Sequence, residues 1–304
     1  MNRHAEIIDL ASEGYFYPTG SVLSSGTVKI FPITAQQEEL LSNGNLLNRG
    51  LLDKEFLDEV VYGGVDFNTL LHCDKVSILL NLRSLNYGTF TKLKIICDSC
   101  EVEYEQEVSL AFKGIPFSFY GCERGVNRLK YTFPRCKKSV YFKLPTVNEQ
   151  LVYAQHGWLA FAKHITLSVD GVDDVDNFYD FELSASDSKS FRTHYEKNMP
   201  GYNNSVLTKC TSCGSNKKIK MDVDCKIFGV NPGSGPIIHS EIFELCYYGN
   251  GAFTQDVVYN MPTRLRSFYI QKLVDAKKTE AEAQKKSASG PSHHEIARPP
   301  TAKS

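Results

Sequence analysis

Two short cysteine pairs are the residues of this sequence best suited to chemistry. Cys97 and Cys100 stand in CDSC, and Cys210 and Cys213 stand in CTSC with a glycine directly behind. Two thiolates at this spacing can hold a metal ion but cannot fill a tetrahedral zinc site, so the pairs are expected to share one ion. We therefore predict a single Zn²⁺ bound by these four cysteines. A site closed by four thiolates leaves no position for water or substrate, which makes the zinc structural.

Other uses of these thiols stay open. The chain has nine cysteines, an odd number, and unpaired thiols are typical of a reducing cytoplasm. A redox CxxC motif usually begins a helix after a strand, whereas both pairs here lie between β-like stretches. Separate redox thiols and chance spacing are the alternatives to zinc. The remaining cysteines lack paired spacing and are interpreted as small buried apolar residues: Cys73, Cys122, Cys136, Cys225 and Cys246.

The composition favours a globular protein that avoids membranes. Apolar residues make up 42% of the chain, and the net charge of −1 creates no field that would attract nucleic acid or anionic lipid. No apolar run approaches the roughly 18 residues of a membrane helix. The first residues also lack the apolar core of a signal peptide, so the chain is expected in a cytoplasm.

Sequence motifs of catalysis are missing. The segment GVNPGSGP is rich in glycine but lacks the Lys-Ser/Thr pair of a phosphate-binding loop. Neither a GxSxG elbow nor an HExxH helix is found. We therefore predict that the chain is not an enzyme and has no small-molecule substrate.

Hydrophobic periodicity and turn residues predict an α+β protein. Predicted helix boundaries include the N-caps Thr34, Ser186 and Ser240 and the C-terminal stop Gly88. The segment DDVDNFYDFELSA is also assigned to a helix. The predicted segments are a strand and helices ending in the first cysteine knuckle (1–100), an inserted α/β segment (101–205), the second knuckle (206–235), C-terminal helices (236–286) and a disordered, polar, Pro-rich tail (287–304).

The distance along the chain between the two knuckles implies a split site. Each knuckle is flanked by β-like sequence, which predicts two strand–turn–strand units of the same plan. The entropy of closing a loop grows only slowly with its length, so a folded insertion between the two halves adds little cost. The expected core is therefore a split, four-cysteine arrangement resembling a zinc ribbon, with its inserted segment beginning and ending at the metal.

Asp74 and Arg83 stand out within an otherwise apolar helical pattern. One interpretation is a solvated charge together with a cap or a carbonyl contact. The other is a pair of polar anchors that tie this helix to the first knuckle. Neither interpretation implies catalysis.

The last predicted helix carries an apolar stripe. Pro262 stands at its first turn, and the stripe consists of Leu265, Phe268, Tyr269 and Leu273. Such a stripe is often simply part of a core, but near a chain end it can dock a partner. We take these four residues as the candidate partner-binding surface.

Three segments resemble a known family. DKVSILLNLRSLNYGTF leads into the first knuckle, SFRTHYEKNMPGYNNSVLTKCTSCG leads into the second, and MDVDCKIFGVNPG follows. In this order they resemble the zinc-knuckle baseplate hub proteins of T4-like contractile-tailed phages, over roughly residues 15–275. The most specific features are the D…LR..NYG helix and the two knuckles.

The resemblance implies a structural or assembly role in the central hub of a tail baseplate. The implied partners are other hub and tail proteins, with the tape measure protein as a further candidate, and the implied location is the virion after assembly in the host cytoplasm. A zinc-ribbon adaptor that binds nucleic acid is the alternative. Against it, Lys209, Lys217, Lys218 and Lys220 near the second knuckle are few and are accompanied by acidic residues.

Overall fold

The computed structural model describes residues 4–288, which form helices and antiparallel strands. About 45% of the chain is helical and 18% is in strands, which confirms the α+β class. No helix in the described range combines the length and the apolar character needed to span a membrane.

The N-terminal region begins with a strand pair and continues as helices. Its elements are β1 (Glu6–Asp9), β2 (Thr27–Ile30), α1 (Ala35–Leu41), α2 (Gly44–Asn48), α3 (Leu52–Val60) and α4 (His72–Tyr87). Thr34 begins α1 as predicted, because its backbone N–H donates to the Gln37 side chain 3.1 Å away in a capping box. Gly88 ends α4 with a φ of 77°, a value that glycine adopts without strain.

Residues 90–202 form a hairpin, a three-stranded sheet and two helices. The elements are β3 (Phe90–Ile96), β4 (Glu103–Ser109), β5 (Gly114–Ile115), β6 (Leu129–Thr132), β7 (Ser139–Phe142), α5 (Val147–Ile165), β8 (Thr166–Val169), α6 (Ala185–Asn198) and β9 (Gly201–Tyr202). β3 pairs with β4, and the sheet order is β6-β7-β8. β5 pairs with β9, so the beginning and the end of this segment lie side by side.

A second hairpin and three further described helices complete the chain. They are β10 (Ser205–Lys209), β11 (Asn216–Lys220), α7 (Gly235–Tyr248), α8 (Gln255–Tyr259) and α9 (Thr263–Ala288). A short 3-10 helix, Cys225–Phe228, joins the hairpin to these helices. The predicted disordered tail starts at residue 287, but α9 continues to Ala288, and residues 289–304 lie outside the described residues.

One hydrophobic core joins the N-terminal region to the segment between the knuckles. Its fully buried members come from both: Ile30, Phe56, Leu82, Phe142, Ile165 and Phe191. The C-terminal helices have a smaller cluster of their own, to which α1 contributes Ala35. A third cluster lies between the two cysteine hairpins. The hairpins therefore have an apolar core separate from that of the body.

Asp74 fixes the start of α4 to the N-terminal segment. Its buried carboxylate accepts hydrogen bonds from the Ser12 N–H (2.9 Å), the Ser12 hydroxyl (2.6 Å) and the Tyr17 hydroxyl (2.7 Å). Burial raises the pKa of Asp74, although the donors from Ser12 and Tyr17 oppose the shift. Asp74 thus anchors α4 to residues 12–17 and not to the cysteine hairpin.

Arg83 ties α4 to the base of the first hairpin. Its guanidinium donates to the carbonyl oxygens of Gly88 (2.8 Å) and Phe90 (2.8 Å), and also to that of Ile227 (3.0 Å). Phe90 is the first residue of β3, and Ile227 lies in the 3-10 helix that follows the second hairpin. Arg83 thus makes the carbonyl contacts of the first interpretation, and the one to Phe90 also ties α4 to the hairpin, whereas Asp74 does not contact the hairpin.

Three predicted helix boundaries differ from the structure. α7 begins at Gly235 with a proline in its first turn, which fixes the backbone there, so Ser240 lies inside the helix. α6 is capped by Ser184, whose hydroxyl accepts from the Asp187 N–H at 3.1 Å, and Ser186 lies in its first turn. In the segment DDVDNFYDFELSA a short helix covers residues 176–182, of which Phe178–Glu182 is a π-helical turn, and α6 begins at the last residue.

We predict that Asp74→Ala destabilises the fold strongly. The change leaves three buried donors without an acceptor, and each unsatisfied donor costs about 1–3 kcal/mol, so a loss of roughly 3 kcal/mol or more is expected. Urea unfolding of the two proteins measures the difference. Asp58→Ala, at an exposed position of α3, is the control and should change stability by less than about 0.5 kcal/mol. Equal effects of the two substitutions would contradict the anchoring role.

Candidate metal centre

The first cysteine pair lies in the tight turn of the β3–β4 hairpin. Cys97 directly follows β3, and its backbone N–H donates to the Val102 carbonyl at 3.1 Å, which closes the ladder. The chain then turns so that the Glu101 N–H donates to the Cys97 carbonyl at 3.0 Å. The Ser99 N–H points at the Cys97 sulfur from 3.4 Å. These bonds hold the Cys97 sulfur at the hairpin tip.

The second pair lies in a turn of the same construction between β10 and β11. The Cys210 N–H donates to the Ser215 carbonyl at 2.9 Å, and the Gly214 N–H donates to the Cys210 carbonyl at 3.0 Å. Gly214 has a φ of 74° and Glu101, at the matching position of the first turn, a φ of 58°. Both turns thus require a left-handed residue directly after the second cysteine.

The four sulfur atoms converge between the hairpin tips. The Cys97 and Cys213 sulfurs are 3.6 Å apart, and those of Cys100 and Cys210 are 3.7 Å apart. All four lie within 4.8 Å of one another. Two turns 110 positions apart in sequence therefore supply one ligand cluster. The pairing that the spacing predicts is confirmed as a cluster that could bind a metal ion.

The geometry suits a tetrahedral ion with thiolate ligands. Zinc–sulfur bonds of about 2.3 Å at tetrahedral angles place neighbouring sulfurs about 3.8 Å apart, close to the two cross-hairpin distances. All nine cysteines are free of disulfide bonds. An all-sulfur donor set selects soft or borderline ions such as zinc, and four protein ligands complete its coordination. When bound, such an ion supplies a cross-link between the hairpins.

The electrostatics of the cluster also suit a cation. Backbone N–H groups of Ser99 and then Cys100 point at the Cys97 sulfur and lower the pKa of its thiol to about 6. The N–H of Val102 favours the thiolate of Cys100, but burial and the neighbouring thiols outweigh it and raise its pKa to about 12. The pKa of Cys210 is lowered, first by the N–H of Cys213. Crowded sulfurs resist collective ionisation unless a positive ion is present.

Polar contacts lock the two hairpins together around the cysteines. The Ser99 and Ser215 hydroxyls are 3.0 Å apart, and those of Tyr104 and Thr208 are also 3.0 Å apart. The Lys209 N–H donates to the Gln106 side chain at 2.9 Å. Because each contact joins one hairpin to the other, the relative orientation of the cysteine pairs is fixed by more than the metal.

The apolar cluster under the metal centre is small. It consists of buried Ile95, Cys97, Tyr104 and Cys210, with Leu93, Cys100 and Ile219 packed against them. A core of this size contributes little stability of its own, and small domains usually need a metal or a disulfide to compensate. The hairpin pair is therefore expected to depend on bound metal for its fold.

The predicted partner-binding residues are divided between a packed and an exposed part of α9. Leu273 packs against the cluster of the C-terminal helices, and the Tyr269 ring lies 5.2 Å from that of Phe253. Leu265 and Phe268 remain 41% and 53% exposed. The stripe therefore contributes both to the intramolecular cluster and to the protein surface.

Sequence reasoning missed the contacts that join the hairpins and an aromatic group on α7. Ser99, Gln106 and Ser215 are ordinary turn or strand residues, and their pairing depends on hairpin orientation, which carries no sequence signal. On α7, Phe243 stacks on Tyr247 at 5.3 Å, and both are more than half exposed. Their four-residue spacing was a readable signal, since residues at this spacing share one face of a helix.

The chain matches no protein-family model, no curated protein and no solved structure.

We predict that Cys210→Ser abolishes stoichiometric zinc binding. A serine hydroxyl is a poor substitute for a buried thiolate, and the three remaining sulfurs leave the tetrahedron open. Elemental analysis of protein purified under reducing conditions should give about one zinc per parent chain and much less for the variant. Cys122→Ser, which removes a thiol outside the cluster, should retain the zinc. Parent protein free of zinc, copper and iron would refute the metal centre.

We predict that Gly214→Ala weakens zinc binding, because alanine at a φ of 74° is strained by about 1–2 kcal/mol. That cost corresponds to an affinity lower by about five- to thirtyfold, measurable by competition with a chelator. Glu101→Gly at the matching position relieves strain instead of adding it and should bind zinc at least as tightly as the parent. Equal affinities of parent and Gly214→Ala would contradict the requirement for a left-handed residue.

Proposed function

We propose that this protein is a structural or assembly component of a contractile phage tail baseplate, at its central hub. It acts by protein–protein contacts and carries a structural zinc, without catalysis. The observation that carries the proposal is the closed cluster of four cysteine sulfurs, which leaves no position for a substrate. This cluster accompanies the motifs on which the resemblance to hub proteins rests.

Residues of the D…LR..NYG motif support a structural role for that helix. Asp74 binds the N-terminal segment, Arg83 binds the base of the first hairpin, and the Tyr87 hydroxyl donates to Glu38 at 2.8 Å. Each side chain connects α4 to a different part of the molecule. A motif of this kind positions the cysteine hairpin and performs no chemistry, which is what a scaffold protein requires.

Exposed aromatic side chains on the C-terminal helices support binding to other proteins. Phe243 and Tyr247 of α7 are 60% and 66% exposed, and Phe268 of α9 is 53% exposed. Aromatic residues are enriched at protein interfaces because they bury a large apolar area with few rotatable bonds. We propose that the partners are other hub and tail proteins, including the tape measure protein, and that the protein enters the virion baseplate from the host cytoplasm.

Nucleic-acid binding is the second candidate function. The lysines of the two hairpins are poorly placed for it. Lys217 is neutralised by Asp98 at 2.6 Å, and its ammonium also donates to the Ile96 carbonyl. On the first hairpin Lys92 and Lys94 stand across from Glu107 and Glu105 in the strand register. Strong binding to a nucleic-acid backbone needs a continuous patch of net positive charge, which these alternating lysines and glutamates do not form. A DNA and RNA mobility-shift assay over a range of salt concentrations tests this alternative, and salt-dependent shifts would favour it.

We predict that the double variant Phe268→Ala, Tyr269→Ala weakens hub assembly while zinc content stays unchanged. Phe268 is exposed and its loss removes apolar contact area, whereas both residues lie far along the chain from the cysteines. Tagged protein is captured from cells that assemble the tail, and the co-purified tail proteins are quantified by mass spectrometry. Ser267→Ala, on an exposed position of the same helix, is the control.

Two outcomes of this capture experiment count against the proposal. Recovery of no tail protein with the parent chain would overturn the baseplate assignment. Undiminished recovery with the double variant would show that α9 is not the contact surface. Circular dichroism of both variants identifies any loss of folding.

A further inference from the structure

The outer edge of β3 carries backbone groups that no described element of the protein pairs. At one end of the β3–β4 ladder the Leu110 N–H donates to the Thr89 carbonyl, and at the other the Cys97 N–H donates to that of Val102. Hydrogen-bonded pairs alternate in an antiparallel ladder, so the odd-numbered residues from 89 to 97 face β4. Phe90, Lys92, Lys94 and Ile96 therefore direct their N–H and C=O groups away from the hairpin.

Side chains of other elements donate hydrogen bonds to this edge only at its two ends. The Phe90 carbonyl accepts from Arg83 at 2.8 Å, and the Ile96 carbonyl accepts from Lys217 at 3.1 Å. Between them the backbone groups of Lys92 and Lys94 have no hydrogen-bond partner among the described residues. An open strand edge is a template for another extended chain.

The side chains of the same four residues indicate what that chain must carry. Phe90 and Ile96 are each 60% exposed, and the two lysines between them are also exposed, on the same face of the strand. Glu107 and Glu105 of β4 stand opposite the two lysines on this face, but neither lysine ammonium lies within 4.0 Å of a carboxylate among the described residues, so no ion pair within the hairpin occupies them. The edge therefore presents a pattern of apolar, basic, basic, apolar at alternate positions.

We propose that the β3 edge binds an extended segment of a partner protein with acidic side chains at two alternate positions and an apolar side chain on either side. A second copy of this chain fits less well, because antiparallel pairing of two β3 edges about Leu93 places Lys92 opposite Lys94 of the other copy. The β11 edge is shorter and offers lysines without exposed apolar neighbours, a composition that discourages strand pairing. The proposal does not depend on the baseplate assignment.

A synthetic peptide tests the pairing directly. Its seven residues match the length of β3 and follow the pattern Ile-Thr-Glu-Thr-Glu-Thr-Phe, with blocked ends. Added to the zinc-loaded full chain, it should slow hydrogen exchange at the amides of Lys92, Lys94 and Ile96. The amides of Thr91, Leu93 and Ile95, already in the ladder, should change little. An alternation of this kind distinguishes strand pairing from electrostatic attraction.

Two further peptides and two variants separate the contribution of charge pairing from that of backbone hydrogen bonding. A peptide with lysine in place of glutamate should bind about tenfold more weakly, from two charge pairs of about 0.7 kcal/mol each. A peptide N-methylated at its edge-facing amides keeps its charges and should lose binding. Lys94→Pro removes an outward N–H without touching the ladder and should weaken binding about tenfold, whereas Lys94→Gln should weaken it only about threefold. Unchanged zinc content shows that both variants keep the hairpins.

Four results would overturn the proposal. Equal binding of the N-methylated peptide, or peptide binding without slower exchange at Lys92 and Lys94, means that the edge does not pair with a strand. Absence of binding at millimolar peptide has the same meaning. Protection of the same amides that rises with protein concentration and needs no peptide shows that a second copy occupies the edge, which also overturns it.

Discussion

The placement of the two cysteine hairpins against each other depends on the convergence of four sulfur atoms from turns 110 positions apart. The hairpins that carry them have an apolar cluster of only a few side chains, too small to hold two strand pairs together in water. A metal ion bound between the tips would supply further stability, because it would bind the folded arrangement and not the unfolded chain. The residues between the knuckles are thereby closed into a loop whose ends also meet through β5 and β9.

Helix α4 connects the hairpin that carries Cys97 and Cys100 to the body of the protein. Asp74 near its first turn holds the N-terminal segment, and Arg83 near its last turn holds the base of β3. Both anchors are buried polar groups with several partners, so their geometry is specific in a way that apolar packing alone is not. Arg83 thereby fixes the start of β3 relative to α4, and no other described strand pairs with the outer edge of β3.

Buried charge adds to the apolar cluster that attaches the C-terminal helices to the body. Arg266 of α9 is buried and pairs with Glu38 of α1 and with Glu241 of α7, at 3.0 Å in the second case. Burial of ions is costly, and the cost is offset only where partners and hydrogen bonds are well placed, so this attachment defines one orientation of α9. That orientation leaves Leu265 and Phe268 exposed. The protein thus offers two separate surfaces, an aromatic helical one and a strand edge.

Local sequence determined many of the elements and the four clustered cysteines, because both follow from short-range chemistry. Cysteine spacing identified the four members of the cluster, the capping box at Thr34 and the glycine at 88 identified helix ends, and hydrophobic periodicity identified α1, α3 and α4. The role of Asp74, the hairpin contacts of Ser99 and Gln106, and the open edge of β3 were decided only by tertiary structure. Each depends on which segments meet across 60 or more positions, a property set by the packing of the whole core and not by neighbours along the chain.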